Sequence, residues 1–168
     1  RNKRYLNWLK TNEVAVVTNS GTFRIFCHDN TNSTGLRAIS TAKNASTNYW
    51  VEFRQKFTSN KWLMSGAGLR WARSTGNQQS LLLDTTPGST DGKTDSALVI
   101  GRTLSDKQAG IHITPIGKGG TTPESLDVVV NLGTFPANTP PTISILASAT
   151  NVSSGVTVNF SATANDLN

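Results

Sequence analysis

The sequence predicts an all-β protein: an antiparallel β-sandwich of jelly-roll or Ig-like type with about nine strands, followed by an incomplete β-hairpin. Three observations carry that expectation. Asn48-Tyr49-Trp50-Val51-Glu52-Phe53-Arg54-Gln55 alternates with a period of two, in aromatic and β-branched residues that suit a pleated, half-buried surface. Thr, Ser, Asn and Gly are abundant and cluster between the apolar runs, where a chain of short strands needs its turns. No long helical pattern follows residue 10.

Taken in order, residues 1–10 carry Tyr5, Leu6, Trp8 and Leu9 among basic residues. They read as the end of a preceding domain or as a segment docking on the domain edge. The sandwich is placed over 11–133. Val14–Thr18 and Thr22–Cys27 flank Asn19-Ser20-Gly21, a tight-turn signal that predicts a hairpin. A polar loop, His28–Gly35, leads to a third strand over Leu36–Ser40 and then to the strand at 48–55. Phe57, Trp62 and Leu63 fall in a loop, and Leu69–Arg73 alternates again after it. Gln79–Asp84, Ala97–Gly101, Ile111–Ile116 and Ser125–Leu132 complete the set. Thr85–Ser96 is expected as a loop, Thr103–Gly110 as a turn and Gly117–Thr121 as a flexible connection. Thr134–Pro141 (TFPANTPP) lacks periodicity and reads as a linker. Over 142–168, Thr142–Ile145 and Val156–Phe160 flank a turn and look like the opening hairpin of a second β-domain, too short to bury a core of its own.

The formal charge of +6, from 16 basic and 10 acidic residues, is spread thinly rather than gathered on one face with aromatics between, which argues against a nucleic-acid partner. No stretch of about 18 consecutive apolar residues exists to span a membrane. Arg1-Asn2-Lys3-Arg4 is followed by only a short mixed stretch, unlike a signal peptide, so the chain is expected to begin mid-protein or after processing. Cys27 is the single cysteine and, inside a strand-like run, reads as a small buried apolar residue.

Tyr49, Val51 and Phe53 share one face of their strand and are the expected core. Trp50, Glu52 and Arg54 share the other face and read as a structural joint or binding surface, because a Glu–Arg pair beside a Trp packs more readily than it catalyses. Trp50, Trp62 and Trp71 could instead supply an aromatic platform for sugar rings, against the alternative of core filling. Asp84, Asp91, Asp95 and Asp106 surround one loop system with Gly88 and Gly92, which makes calcium the one metal to consider, against ordinary turn capping by Asp. No catalytic residue is assigned and no other cofactor is expected. His28 and His112 are isolated, and no GxSxG elbow presents a serine.

One ordered set of segments resembles a known family. It comprises Trp8-Leu9, Ser20–Arg24, YWVEFRQ at 49–55, Gly68-Leu69-Arg70, LLLDTTPGS at 81–89, ALVIGRTLSD at 97–106 and GIHITPIG at 110–117. Together they look like the β-sandwich that follows the catalytic domain in secreted gametolysin-like zinc metallopeptidases. The tail PPTISILASATNVSSGVTVNFSATAND is similar to the opening of a PKD or bacterial Ig-like domain. The resemblance implies a secreted, extracellular parent. In it this chain would be a non-catalytic accessory domain, packed on an upstream catalytic domain and contacting protein or glycan substrate. Such peptidases carry an HExxHxxGxxH helix, in which histidines hold zinc and the Glu activates water. With two histidines the chain cannot supply that site, so the resemblance places it before Arg1.

Overall fold

Apolar residues at every second position sort the first of two units, Arg1–Phe135, into two stacked sheets. The computed structural model describes residues 2–74, 80–120, 123–135 and 142–165. The expected linker from 136 onward and most of the turn expected after Arg73 lie outside the described residues. The strands of the first unit are β1 (Val14–Val17), β2 (Gly21–Phe26), β3 (Ala38–Asn44), β4 (Thr47–Glu52), β5 (Gly66–Arg73), β6 (Ser80–Leu82), β7 (Leu98–Val99), β8 (Leu104–Asp106), β9 (Ile111–Gly119) and β10 (Ser125–Leu132). The first sheet has the order β1-β3-β4-β5-β6, with β7 on the opposite end of β5, and the second has the order β2-β10-β9-β8. Two short helical turns, α1 (Asn2–Tyr5) and α2 (Lys61–Met64), lie outside the sheets. The all-β sandwich expected from the alternation is the observed fold.

The inner faces meet in one core. Val17, Ile39, Tyr49, Val51, Phe53 and Leu69 come from the first sheet or its immediate exit, and Ile25, Ile111, Ile113, Leu126, Val128 and Val130 from the second. The β4 register, Tyr49↔Trp71 and Val51↔Leu69, puts apolar pairs side by side on that face. Close approach is built into β5: a Cβ on Gly66 would stand 2.5 Å from the Leu98 carbonyl oxygen, so only glycine lets β7 pair there.

The hairpin expected across Asn19-Ser20-Gly21 does not form. β1 runs parallel to β3, with Val14↔Ala38 and Val17↔Thr41, while β2 is antiparallel to β10 in the other sheet. The turn therefore carries the chain from one layer to the other. Ser20 fixes the crossing, because its hydroxyl accepts the Leu132 amide at 2.8 Å and prolongs the β2–β10 pairing past Gly21↔Val130. Three smaller differences follow, two from tertiary pairing and one from a local cap. The expected turn over 103–110 contains β8, which pairs with β9. Gly117 and Gly119, expected as flexible, lie in the β9–β10 ladder. The expected loop around Trp62 contains α2, because Asn60 Oδ1 caps it by accepting the amides of Trp62 and Leu63 at 3.1 Å.

A polar clamp joins the sheets at one end. Asp106 Oδ2, on β8, accepts from Lys43 Nζ at 2.6 Å and from Tyr49 Oη at 2.7 Å, on β3 and β4. The Lys43 ammonium, the Ala109 amide and the Tyr49 hydroxyl lower the Asp106 pKa from 3.8 to about 2.

The second unit, described over 142–165, is the hairpin β11 (Thr142–Ala147) and β12 (Phe160–Asn165). Its second strand begins where the sequence reading ended it. Ile143, Ile145 and Ala147 oppose Ala164, Ala162 and Phe160, so one face is apolar throughout, and Ile143, Ile145 and Phe160 on it are exposed.

Phe53→Ala is expected to cost about 3–5 kcal/mol of unfolding free energy, from lost transfer energy plus the cavity left, measured by chemical denaturation. Asp106 contributes stability above its unfolded pKa of 3.8, lost as the pH falls through about 2. Asp106→Asn is therefore expected to cost on the order of 1–3 kcal/mol at neutral pH. The melting-temperature gap to the unsubstituted chain should close across that acid window, and a gap independent of pH would show that the clamp is not ionic.

Candidate functional site

Period-two alternation leaves the outer face of the first sheet with Val14, Ala38, Trp50 and Ala72, and these form a second buried cluster instead of meeting solvent. Trp50 is 7% exposed. Leu9 is buried as well, and with Lys3 it brings the N-terminal segment to a cavity of about 240 Å³ on this face. Lys3 Nζ donates to the His28 carbonyl at 2.9 Å and so ties that segment to the chain leaving β2.

Glu52 is the hub of the cavity. Register pairs it with Gly68, and a Cβ there would lie 3.0 Å from Glu52 Cγ, so the glycine makes room for the carboxylate. Glu52 Oε1 accepts from Arg54 Nη2 at 2.8 Å, Arg54 Nε at 3.0 Å and Arg70 Nε at 3.4 Å. Glu52 Oε2 stands 3.7 Å from His28 Nε2. The other ring nitrogen, His28 Nδ1, is 3.0 Å from the Phe53 carbonyl, which requires the proton on Nδ1. Burial pushes the Glu52 pKa up, but His28, Arg54 and Arg70 outweigh it and hold the carboxyl below its usual range. Burial also lowers the His28 pKa, against the opposing pull of Glu52, so the imidazole is neutral at pH 7 and the two guanidiniums stabilise the carboxylate.

Three buried polar atoms on residues of this cavity have no hydrogen-bond partner: Arg37 Nε, Trp50 Nε1 and Ser80 Oγ. Arg37 Nε lies 3.3 Å from Glu13 Oε1 but outside hydrogen-bond geometry. The remaining orphan among the described residues, Thr85 Oγ1, is elsewhere.

Of the residues singled out in the sequence, Trp50, Glu52 and Arg54 do come together. Trp62 and Trp71 do not join them. Trp71 is paired with Tyr49 and packs on the inner core, on the opposite face of the sheet from Trp50, while Trp62 sits on α2 with the Lys61 ammonium 4.8 Å from its ring centre. Strand parity thus keeps Trp50 and Trp71 from sharing one platform. The aspartates expected to hold calcium have other partners, although Asp84 and Asp95 share the Thr86 hydroxyl, which is 3.2 Å from Asp84 Oδ1 and from the Asp95 carbonyl. Asp84 Oδ1 accepts from the Thr86 amide and hydroxyl, Asp95 Oδ1 accepts from Ser89, Asp91 precedes a 3-10 turn, and Asp106 is held by Lys43 and Tyr49. Among the described residues no three His, Cys, Asp or Glu side chains converge to hold a metal ion. Cys27 is fully buried, 3.1 Å from Ser33 Oγ, and His112 is buried against Phe135 with its Nδ1 3.0 Å from Ser105 Oγ.

Arg70, Lys3, His28 and Arg37 were not among the expected site residues. Arg70 could have been found: it alternates with Leu69 and Trp71 and so shares the Glu52 face once β4 and β5 pair. The others arrive from the N-terminal segment and the long loop between β2 and β3, and no local pattern announces them. No family model, curated protein or solved structure matches the chain.

Glu52→Gln is expected to cost roughly 1.5–3 kcal/mol by denaturant titration, because two guanidiniums lose their ionic acceptor inside a buried face. His28 has a folded pKa below its usual 6.5, so the unfolded chain binds its proton first and stability falls as the pH drops below 6.5 toward the folded value. His28→Gln should flatten that part of the stability-versus-pH curve, and an unchanged slope would assign the proton uptake elsewhere.

Proposed function

We propose that the sandwich is a non-catalytic accessory domain of a secreted multidomain protein, in which it packs against a catalytic domain and spaces it from downstream PKD- or Ig-like modules. The resemblance of the segment set quoted above supports a zinc metallopeptidase as the parent. The observation that supports a static role is the state of Glu52. A general acid needs a carboxyl whose pKa is raised, whereas this one is lowered and committed to three guanidinium nitrogen contacts. A carboxylate so held joins β4, β5 and the β4 exit in a fixed relation. Against the glycan-binding alternative, Trp50 and Trp71 lie on opposite faces of one sheet and do not share a platform.

The chain supplied with zinc is expected to release no peptides from casein above the buffer background, and zinc-dependent cleavage would overturn the reading. In the parent enzyme, Glu52→Gln should lower the melting temperature while leaving kcat/KM unchanged. A loss of kcat/KM at unchanged stability would place Glu52 in the chemistry instead.

A further inference from the structure

We propose that the cavity on the outer face of the first sheet is a binding site for a small organic carboxylate carrying an apolar body. This goes beyond an accessory role and does not depend on which enzyme is the parent. Lys3, Arg37, Arg54 and Arg70 line the cavity against a single lining carboxylate, Glu52. Arg37 has Glu13 as its counterion, and Glu52 is shared between Arg54 and Arg70, so cations remain in excess. Arg70 gives only Nε to Glu52, and its terminal nitrogens have no hydrogen-bond partner among the described residues. Two nitrogens of a guanidinium match the two oxygens of a carboxylate, and the Lys3 ammonium adds a point charge.

The unpartnered atoms point to the same chemistry. Arg37 Nε and Trp50 Nε1 are donors only and Ser80 Oγ can donate, so the walls of the cavity carry donors in excess of acceptors. Buried donors without acceptors are costly, and three of the four buried polar atoms without a partner among the described residues belong to residues of this one cavity. Burial and the Arg54 charge hold the Lys3 pKa below its ordinary value, a crowding of cations that a bound anion would relieve. Leu9, Ala38 and Trp50 supply apolar lining for the rest of the ligand, which favours an organic acid over an inorganic anion.

The test is calorimetric titration of the whole chain with sodium benzoate, benzamide and sodium sulfate at matched ionic strength. Benzoate should saturate one site, with benzamide, which keeps the ring and lacks the charge, and sulfate, which lacks the ring, both binding more weakly. Arg70→Gln leaves Arg54 to hold Glu52 and should weaken benzoate by roughly tenfold, the loss of one charge-assisted contact. Trp50→Phe should weaken it by a smaller factor. If Arg70→Gln fails to fold by circular dichroism, Lys3→Met on the N-terminal segment takes its place. No saturable benzoate binding, benzamide binding as tightly as benzoate, or sulfate binding at least as tightly overturns the site. So does full benzoate affinity in a folded Arg70→Gln or Lys3→Met chain. None of these outcomes bears on the accessory role, which the casein assay tests separately.

Discussion

Strand β4 is buried on both faces, and much of the first unit is arranged to make that tolerable. Its inner side chains, Tyr49 and Val51, continue into Phe53 and complete an apolar core against the second sheet. Its outer side chains are Trp50 and Glu52, and the carboxylate side chain of Glu52 is only 17% exposed. A carboxylate in that position is stable only where hydrogen bonds and opposite charge replace water. Arg54, from the same strand's exit, and Arg70, from the neighbouring strand, supply them, while the neutral His28 closes the face from beyond the end of a strand in the other sheet. The outer face therefore has an obligatory composition, set by one ionised group.

The two layers are held in register by polar contacts at separate places around the common core. Asp106 reaches from β8 to Lys43 and Tyr49. Gln55, just past β4, donates its amide to Glu124 Oε2 at 2.8 Å and accepts the Glu124 backbone N–H at 3.1 Å, close to the start of β10. These contacts supply direction that apolar packing lacks: hydrophobic burial drives the sheets together, and the paired polar groups select one alignment. The exposed pair Arg24–Asp127, on facing strands of the second sheet, adds little by comparison, since water screens it.

The strands themselves were readable because alternation is a local property. Tyr49, Val51 and Phe53 point inward for the reason their spacing gives, and β10 spans the same residues, 125–132, that its apolar run suggested. Pairing is not local. Asn19-Ser20-Gly21 signals a change of direction but carries no information about which layer receives the next strand, and here the receiving partner is more than a hundred residues away. The same limit governs the site. Trp50, Glu52 and Arg54 were legible as one face of one strand, while Lys3, His28 and Arg37 reach it through the chain path. The tryptophan platform and the calcium cluster failed for a related reason. Both grouped residues by type and proximity in sequence, whereas strand parity separates Trp50 from Trp71 and Asp106 is committed to Lys43 and Tyr49.

The layer switch between β1 and β2 also bears on how the chain is made. Ser20 and Leu132, which bond across the two ends of the sandwich in sequence, are 112 residues apart. Pairing of β3 with β4 and of β4 with β5 involves neighbours in the chain and is available as soon as Arg73 has left the ribosome. β2 has no such neighbour: its partner β10 is among the last pieces of the unit to be synthesised, so the apolar side chains of Phe23 and Ile25 wait uncovered while everything between is produced. A strand made early in this unit thus becomes the last to be enclosed, and the vulnerable period of the unit is set by its length rather than by the strength of its core.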